Sequence, residues 1–328
     1  MRMCLGHRPP ALPRTQGRSR ALHHRSGARQ GLIDGARYAV RRGTTTAIQS
    51  HPLPIEAAIA ALTAAVLHAV WNALVKGGGD PLFDLAVVWG ASALLALACV
   101  PFVAVPVAAA WPYLLGTLLI HMPYGLLLAA AYRAGSLSHV YTVARGTPPL
   151  LIAIATALFI ETLTPGQYAG IGVISLGILI TGFAPNAPTK ATLLALCVAL
   201  TIACYSILDG LGARASGEPI GYAVWFFVLM GAVFVMLVGA WRGPKQLAHY
   251  AAVNWRRAAI GGPAGALGYG LVLWAMSFAP VAGVSALRET SVAIAVFIGW
   301  WFMGDPMSKR RVAGAILVLC GAAVLKLT

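Results

Sequence analysis

Arg145, Arg288 and Glu289 stand inside long apolar runs, HVYTVARGTPPLLIAI (139–154) and SALRETSVAIAV (285–296). A charged side chain at the centre of a membrane helix costs about 2.5–3.5 kcal/mol on insertion scales, so such residues face one another or a watered cavity. Adjacent positions on a helix point about 100° apart, which makes Arg288 and Glu289 poor partners for each other. The expected pair is therefore Arg145 with Glu289, between the two runs. It serves either as a structural ion pair or as the lining of a substrate path. Pro148 and Pro149 lack backbone N–H groups and release carbonyls near Val143 to Arg145. An ordinary kink and a helix interrupted to build a binding site both fit that feature.

Two polar stripes accompany the charges. His68, Asn72 and Lys76 repeat at intervals of four, as do Thr201, Tyr205 and Asp209, so each set shares one helix face. A slip of one residue would match Trp71 with Tyr205 instead. Arg145, Arg288, Glu289, Tyr141, Trp71, Asn72 and Tyr205 are the candidate substrate-binding residues, Tyr141 because it lies one helical turn before Arg145. His68, Glu289 and Asp209 are the candidate proton carriers. Against this stand duller roles: snorkelling for Lys76, contact with water at a span end for Asp209, packing for the aromatics. His121 and His139, isolated in their runs, read as structural histidines.

The elements that must position these residues follow from composition. Of 328 residues, 59% are hydrophobic and 10% charged, and mean hydropathy is +0.77. Apolar blocks of about 20 residues, each able to cross a ~30 Å hydrocarbon layer as helix, recur from Ile55 to Leu327. An all-α polytopic membrane protein is expected, with spans at 55–75, 83–105, 111–133, 137–160, 165–184, 190–210, 219–241, 257–278, 281–303 and 309–327. The blocks are continuously apolar rather than alternating, which argues against a barrel. The five cysteines form no CxxC pair and read as small buried hydrophobes. No cofactor or metal is expected.

Residues 1–50 differ from the rest. They hold ten arginines and one acid, Asp34, and no apolar run, so they account for much of the +15 net charge. They read as a basic disordered tail or as sequence upstream of the true start, without a nucleic-acid-binding role.

The remainder repeats. QYAGIGVISLGILI (167–180) and RVAGAILVLCGAAV (311–324) both space glycines by seven, and Glu161 and Asp305 stand nine residues before the first of each pair. The arginine runs align Arg145 with Arg288 and Thr147 with Thr290. The prolines have no counterpart, which predicts a helix break in the first half only. Five spans per unit makes the second unit cross the membrane in the opposite sense, so ten transmembrane helices form two inverted five-helix repeats, 51–186 and 187–328.

Three stretches carry a resemblance: LHAVWNALVKGGGD (67–80), CYSILDGLGARASG (204–217) and ALRETSVAIAVFIGWWFMGDPMSKRRVAGAILVLCGAAVL (286–325). Through them the chain resembles the drug/metabolite transporter superfamily, in its ten-span branch of paired EamA domains. Asp305 departs from the family pattern, which more often has Glu there. The resemblance implies a secondary transporter in the cell's inner (plasma) membrane, working by alternating access on a small metabolite, most naturally as an exporter. Two arginines against one glutamate favour an anionic or zwitterionic substrate. Organic cation efflux by proton antiport and a non-transporting membrane partner are the alternatives. No GxSG elbow, HExxH helix or pair of embedded aspartates suggests an enzyme. The lipid bilayer and the substrate are the expected partners, and a homodimer stays open. The resemblance also implies cytosolic termini, whereas the loop charges place the termini outside.

Overall fold

The computed structural model describes residues 52–75, 79–303 and 307–328. Lys76 and Asp305 lie outside the described residues, as does the basic tail. The described core is helical: α1 (Ile55–Val75), α2 (Pro81–Cys99), α3 (Trp111–Ala134), α4 (Leu137–Gly146), α5 (Pro148–Phe159), α6 (Pro165–Gly182), α7 (Thr189–Ala215), α8 (Pro219–Arg242), α9 (Pro244–Val253), α10 (Trp255–Met276), α11 (Val281–Arg288), α12 (Ser291–Met303) and α13 (Lys309–Leu327). Among the described residues, eight helical stretches are long and apolar enough to cross a membrane. The 137–160 region falls outside that set because it is two short helices. The last span opens on three consecutive bases, Lys309 to Arg311.

Local signals fix the starts. Proline opens α2, α6, α8 and α9, where its missing N–H is no loss. Asp80 caps α2 by accepting from the Leu82 and Phe83 amides, and Thr164 with Gln167 forms a reciprocal capping box on α6.

The expected asymmetry of helix breaks is corrected. Both halves are broken at the arginine. In the first, Thr147 keeps helical angles (φ −83°, ψ −38°) and the chain is only interrupted before Pro148. In the second, no proline is needed. Thr290 N–H donates to Leu287 and Val292 N–H to Glu289, so the backbone tightens to i→i+3 bonding between α11 and α12. The stretch 242–256, between two of the expected spans, contains α9, docked through buried Leu247. Cys197, Cys204 and Cys320 are exposed on helix surfaces rather than buried.

Four pairs dominate the packing: α6 with α13, α1 with α10, α3 with α7, and α2 with α8. Helices α4 and α5 lie against α7, and α11 and α12 lie against α1. The α6–α13 contact explains the sevenfold glycine spacing. A Cβ on Gly177 would stand 2.8 Å from the Gly314 carbonyl oxygen, and one on Gly321 would stand 2.8 Å from that of Gly170. Only glycine lets the two backbones approach so closely.

Successive spans run in alternating directions, α4 with α5 and α11 with α12 each making one span and α9 lying between two spans. The starts of α1, α6, α8 and α11 therefore share one end of the bundle with the close of α13. Contacts agree: Lys326 reaches the Leu53 carbonyl, and Glu161 reaches Val281. This is the terminal end. Arg242, Tyr250 and Asp80 meet at the opposite end.

Candidate functional site

The expected Arg145–Glu289 pair forms. Arg145 Nη1 donates to Glu289 Oε1 at 3.2 Å across 144 positions of sequence. The exclusion of Arg288 as a partner is wrong. Arg288 donates to the same oxygen from Nη2 at 2.9 Å and from Nε at 3.2 Å. The tight turn after α11 removes the helical offset that would have held neighbouring side chains apart. All three residues are buried, and Glu289 Oε2 has no hydrogen-bond partner. One carboxylate thus faces two guanidinium groups, leaving a formal charge of +1.

Each arginine also lies against a phenol ring. Arg145 Cζ is 5.8 Å from the Tyr141 centroid, and Arg288 Cζ is 5.8 Å from that of Tyr269. Ring quadrupoles attract the cations and help keep both charged groups inside the bundle.

The two arginines line a cavity of about 80 Å³ between the halves. Helices α1, α2, α3, α4, α7, α8, α10 and α11 all contribute to its wall. Of the candidates read from sequence, His68, Trp71, Arg145, Tyr205 and Arg288 face it. Glu289 stands behind the arginines, and Tyr141 stands beside Arg145. Asn72 is turned to its own backbone, donating to the His68 carbonyl at 2.7 Å. Thr201 likewise donates to the Val198 carbonyl.

His68 is held by Trp71, whose indole N–H donates to Nδ1 at 3.0 Å. Neutral His68 therefore carries its proton on Nε2, a buried atom without a hydrogen-bond partner. Asp209 is fully buried behind the wall. It accepts from Tyr269 at 2.6 Å and from Tyr222 at 3.2 Å. It is not a water-exposed span end. Through Tyr269 it is one residue removed from both the cavity and Arg288.

Several wall residues were not among the candidates. His121, read as merely structural, stacks on Tyr205 with centroids 4.1 Å apart and lines the cavity with Trp89, Tyr124, Phe226, Phe227 and Tyr269. Its Nδ1 bonds Thr117, both at the carbonyl (2.9 Å) and at the hydroxyl (3.1 Å). His139 is structural, accepting from the Ala184 amide and bonding Thr192.

At the terminal end a second ion pair closes the bundle. Arg214 donates to Glu161 at 2.6 Å and to the carbonyls of Met276 and Ala279, while both Glu161 oxygens accept from the Val281 amide. Glu161 thereby ties the connection before α6 to the start of α11.

A solved structure described as "Crystal structure of protein" matches the chain with a TM-score of 0.66 at 18% identity, covering 83% of this chain and 98% of that one. At that identity the likeness concerns the fold alone. No curated protein matches the chain. The model of the EamA-like transporter family matches residues 189–327, which run from the start of α7 to the end of α13. Through this segment the chain is similar to the EamA-like transporter family.

Proposed function

We propose that the protein is a secondary transporter that exports a small anionic or zwitterionic metabolite, with the central cavity as its binding site. The observation that carries this reading is the clasp of two buried arginines on one oxygen of Glu289. Its surplus positive charge is presented to the cavity by Arg145 and Arg288, while Glu289 holds both from behind. Buried charge of this kind is retained where it meets a substrate or ion. The aromatic wall excludes water and strengthens that attraction. A cavity of surplus positive charge disfavours organic cations.

The packing supports a reading of alternating access. Exchanging the units 51–186 and 187–328 maps α1–α10 onto α7–α3, and maps α4 and α5 against α7 onto α11 and α12 against α1. The α2–α8 and α6–α13 contacts are each their own counterpart. Two inverted five-helix repeats account for that pattern, and their rocking would expose the cavity to each side in turn. The half-helices α4 and α11 end at the arginines, so in such a rocking motion the clasp would link the moving units.

Asp209 is the proton carrier this geometry favours over His68. It is a buried carboxylate held by two phenols and linked by Tyr269 to the cavity wall. Purified protein in detergent tests the substrate class. Millimolar organic acids, amino acids and phosphonates should include ligands that raise its melting temperature, and organic cations should not. Stabilisation by cations alone would refute the reading.

A further inference from the structure

The two ends of the bundle differ sharply in charge. Among the described residues, the terminal end carries two bases, Arg214 and Lys326, with the acids Glu56, Glu161 and Glu218. Both bases are engaged by the protein itself. Arg214 is clamped to Glu161 and two carbonyls, and Lys326 Nζ donates to the Leu53 carbonyl at 2.7 Å. Among the described residues the opposite end carries nine lysines and arginines against Asp80 and Asp84, with Arg242 paired to Asp80 and Arg310 donating to the Phe183 carbonyl. Seven of the nine fall in only two places, residues 242–257 and 309–311.

Helix α9 gives this end its form. Leu247 is buried and Tyr250 is tied to the start of α2, where its hydroxyl donates to Asp84 at 2.9 Å and accepts from the Gly79 and Asp80 amides. The helix is thereby tied to the start of α2, with Lys245 and His249 exposed. At its close Trp255 is 58% exposed, and the Arg256 guanidinium lies 5.6 Å from its ring centroid. A short helix with a docked apolar side, free basic groups and a tryptophan at its margin matches the chemistry of a lipid headgroup layer.

We propose that this basic end is the cytosolic face, that α9 and the starts of α10 and α13 form a docking surface for anionic lipid, and that the start of α1 and the close of α13 lie on the other side of the membrane. Short basic loops are retained on the cytosolic side during insertion, and anionic headgroups are enriched in that leaflet. The ten arginines of residues 1–50 do not reverse the balance. The rule counts bases within about 15–20 residues of a span. Only Arg37, Arg41 and Arg42 meet that condition, fewer than the bases of the opposite end. The orientation implied by the family resemblance is the reverse of this one.

Cysteine labelling on the full chain decides the matter. In a background with the native cysteines replaced by serine, Thr328→Cys and Lys245→Cys variants would be expressed in a bacterial inner membrane and treated with a membrane-impermeant maleimide. Thr328→Cys should label in cells whose outer membrane alone is permeable, and Lys245→Cys only after lysis. The opposite pattern, or equal labelling of both, overturns the proposal. The lipid surface has its own measurement in nanodiscs of phosphatidylglycerol or phosphatidylcholine. Phosphatidylglycerol should raise the melting temperature by several degrees, and the double variant Lys245→Glu/Arg256→Glu should lose that gain. Equal melting in the two lipids would remove the docking surface.

Discussion

Arg145 and Glu289 are 144 residues apart in sequence and 3.2 Å apart in space, and their contact joins α4 to the turn after α11. Arg288 holds the same oxygen of Glu289, so the carboxylate is shared rather than paired. Replacing Glu289 with glutamine would leave two buried guanidinium groups without an anion, a change that costs about 3–5 kcal/mol when a buried pair is broken. Glu289→Gln should melt well below the wild type and lose flux. Arg145→Ala leaves Glu289 paired with Arg288 and should stay folded. Calorimetry on the two variants checks this ordering, and equal melting temperatures would count against the shared clasp.

Asp209 offers a cleaner separation of fold from coupling. Asn keeps the shape and one acceptor oxygen, and Tyr269→Phe removes only the 2.6 Å donor. Asp209→Asn should reach the membrane in normal amount yet transport without responding to an imposed pH gradient. Tyr269→Phe should weaken the response in the same direction. An unchanged gradient response in Asp209→Asn would remove it as the proton carrier.

Close approach of α6 and α13 predicts intolerance of any side chain at its glycines. Gly177→Val would place its Cβ against the Gly314 carbonyl and the Val318 amide. Overpacking of this kind costs about 1–3 kcal/mol. A thermal melt of Gly177→Val should show a drop of several degrees, while Gly172→Val, at an open position, should melt as the wild type does.

Tyr250 gives a dependence on alkaline pH. Burial pushes its phenol above the usual tyrosine range, and the Asp84 carboxylate beside it acts in the same direction. Folding thus favours the protonated phenol. Its contribution is complete below the unfolded value of about 10 and is lost as pH rises beyond it. Proteolysis around residues 242–256 should increase above about pH 10 on this basis. In Tyr250→Phe that increase should vanish, with cutting already raised at neutral pH.

Much of this was legible in the sequence. The run from Ile55 to Val75 was delimited to the residue, because a long apolar block with turn-forming neighbours leaves few alternatives. Arg145 and Glu289 were paired correctly because embedded charges have almost no other option. What escaped was geometry without a compositional mark. The break after Arg288 contains neither proline nor glycine, and it is this turn that brings Arg288 onto its neighbour. The aromatic wall escaped for a different reason. In an apolar helix, a ring facing a cavity and a ring facing lipid look alike, so Trp89, Tyr124, Phe226 and Tyr269 carried no signal. His121 is the satisfied histidine expected, and its place in the cavity wall had no mark because its ring neighbour Tyr205 comes from another helix. Helix α9, only ten residues long, was too short and too polar to stand out from a loop.

The central claim is that Arg145 and Arg288 draw an anionic group into the cavity. Flux into liposomes containing purified protein tests it most directly, with organic acids, amino acids, phosphonates and organic cations compared in wild type, Arg145→Ala and Arg288→Ala. An anionic or zwitterionic compound should be carried by the wild type, and its flux should fall at least about tenfold in each variant, the effect of about 1.4 kcal/mol. Transport of organic cations alone, or undiminished flux in both arginine variants, would contradict the account.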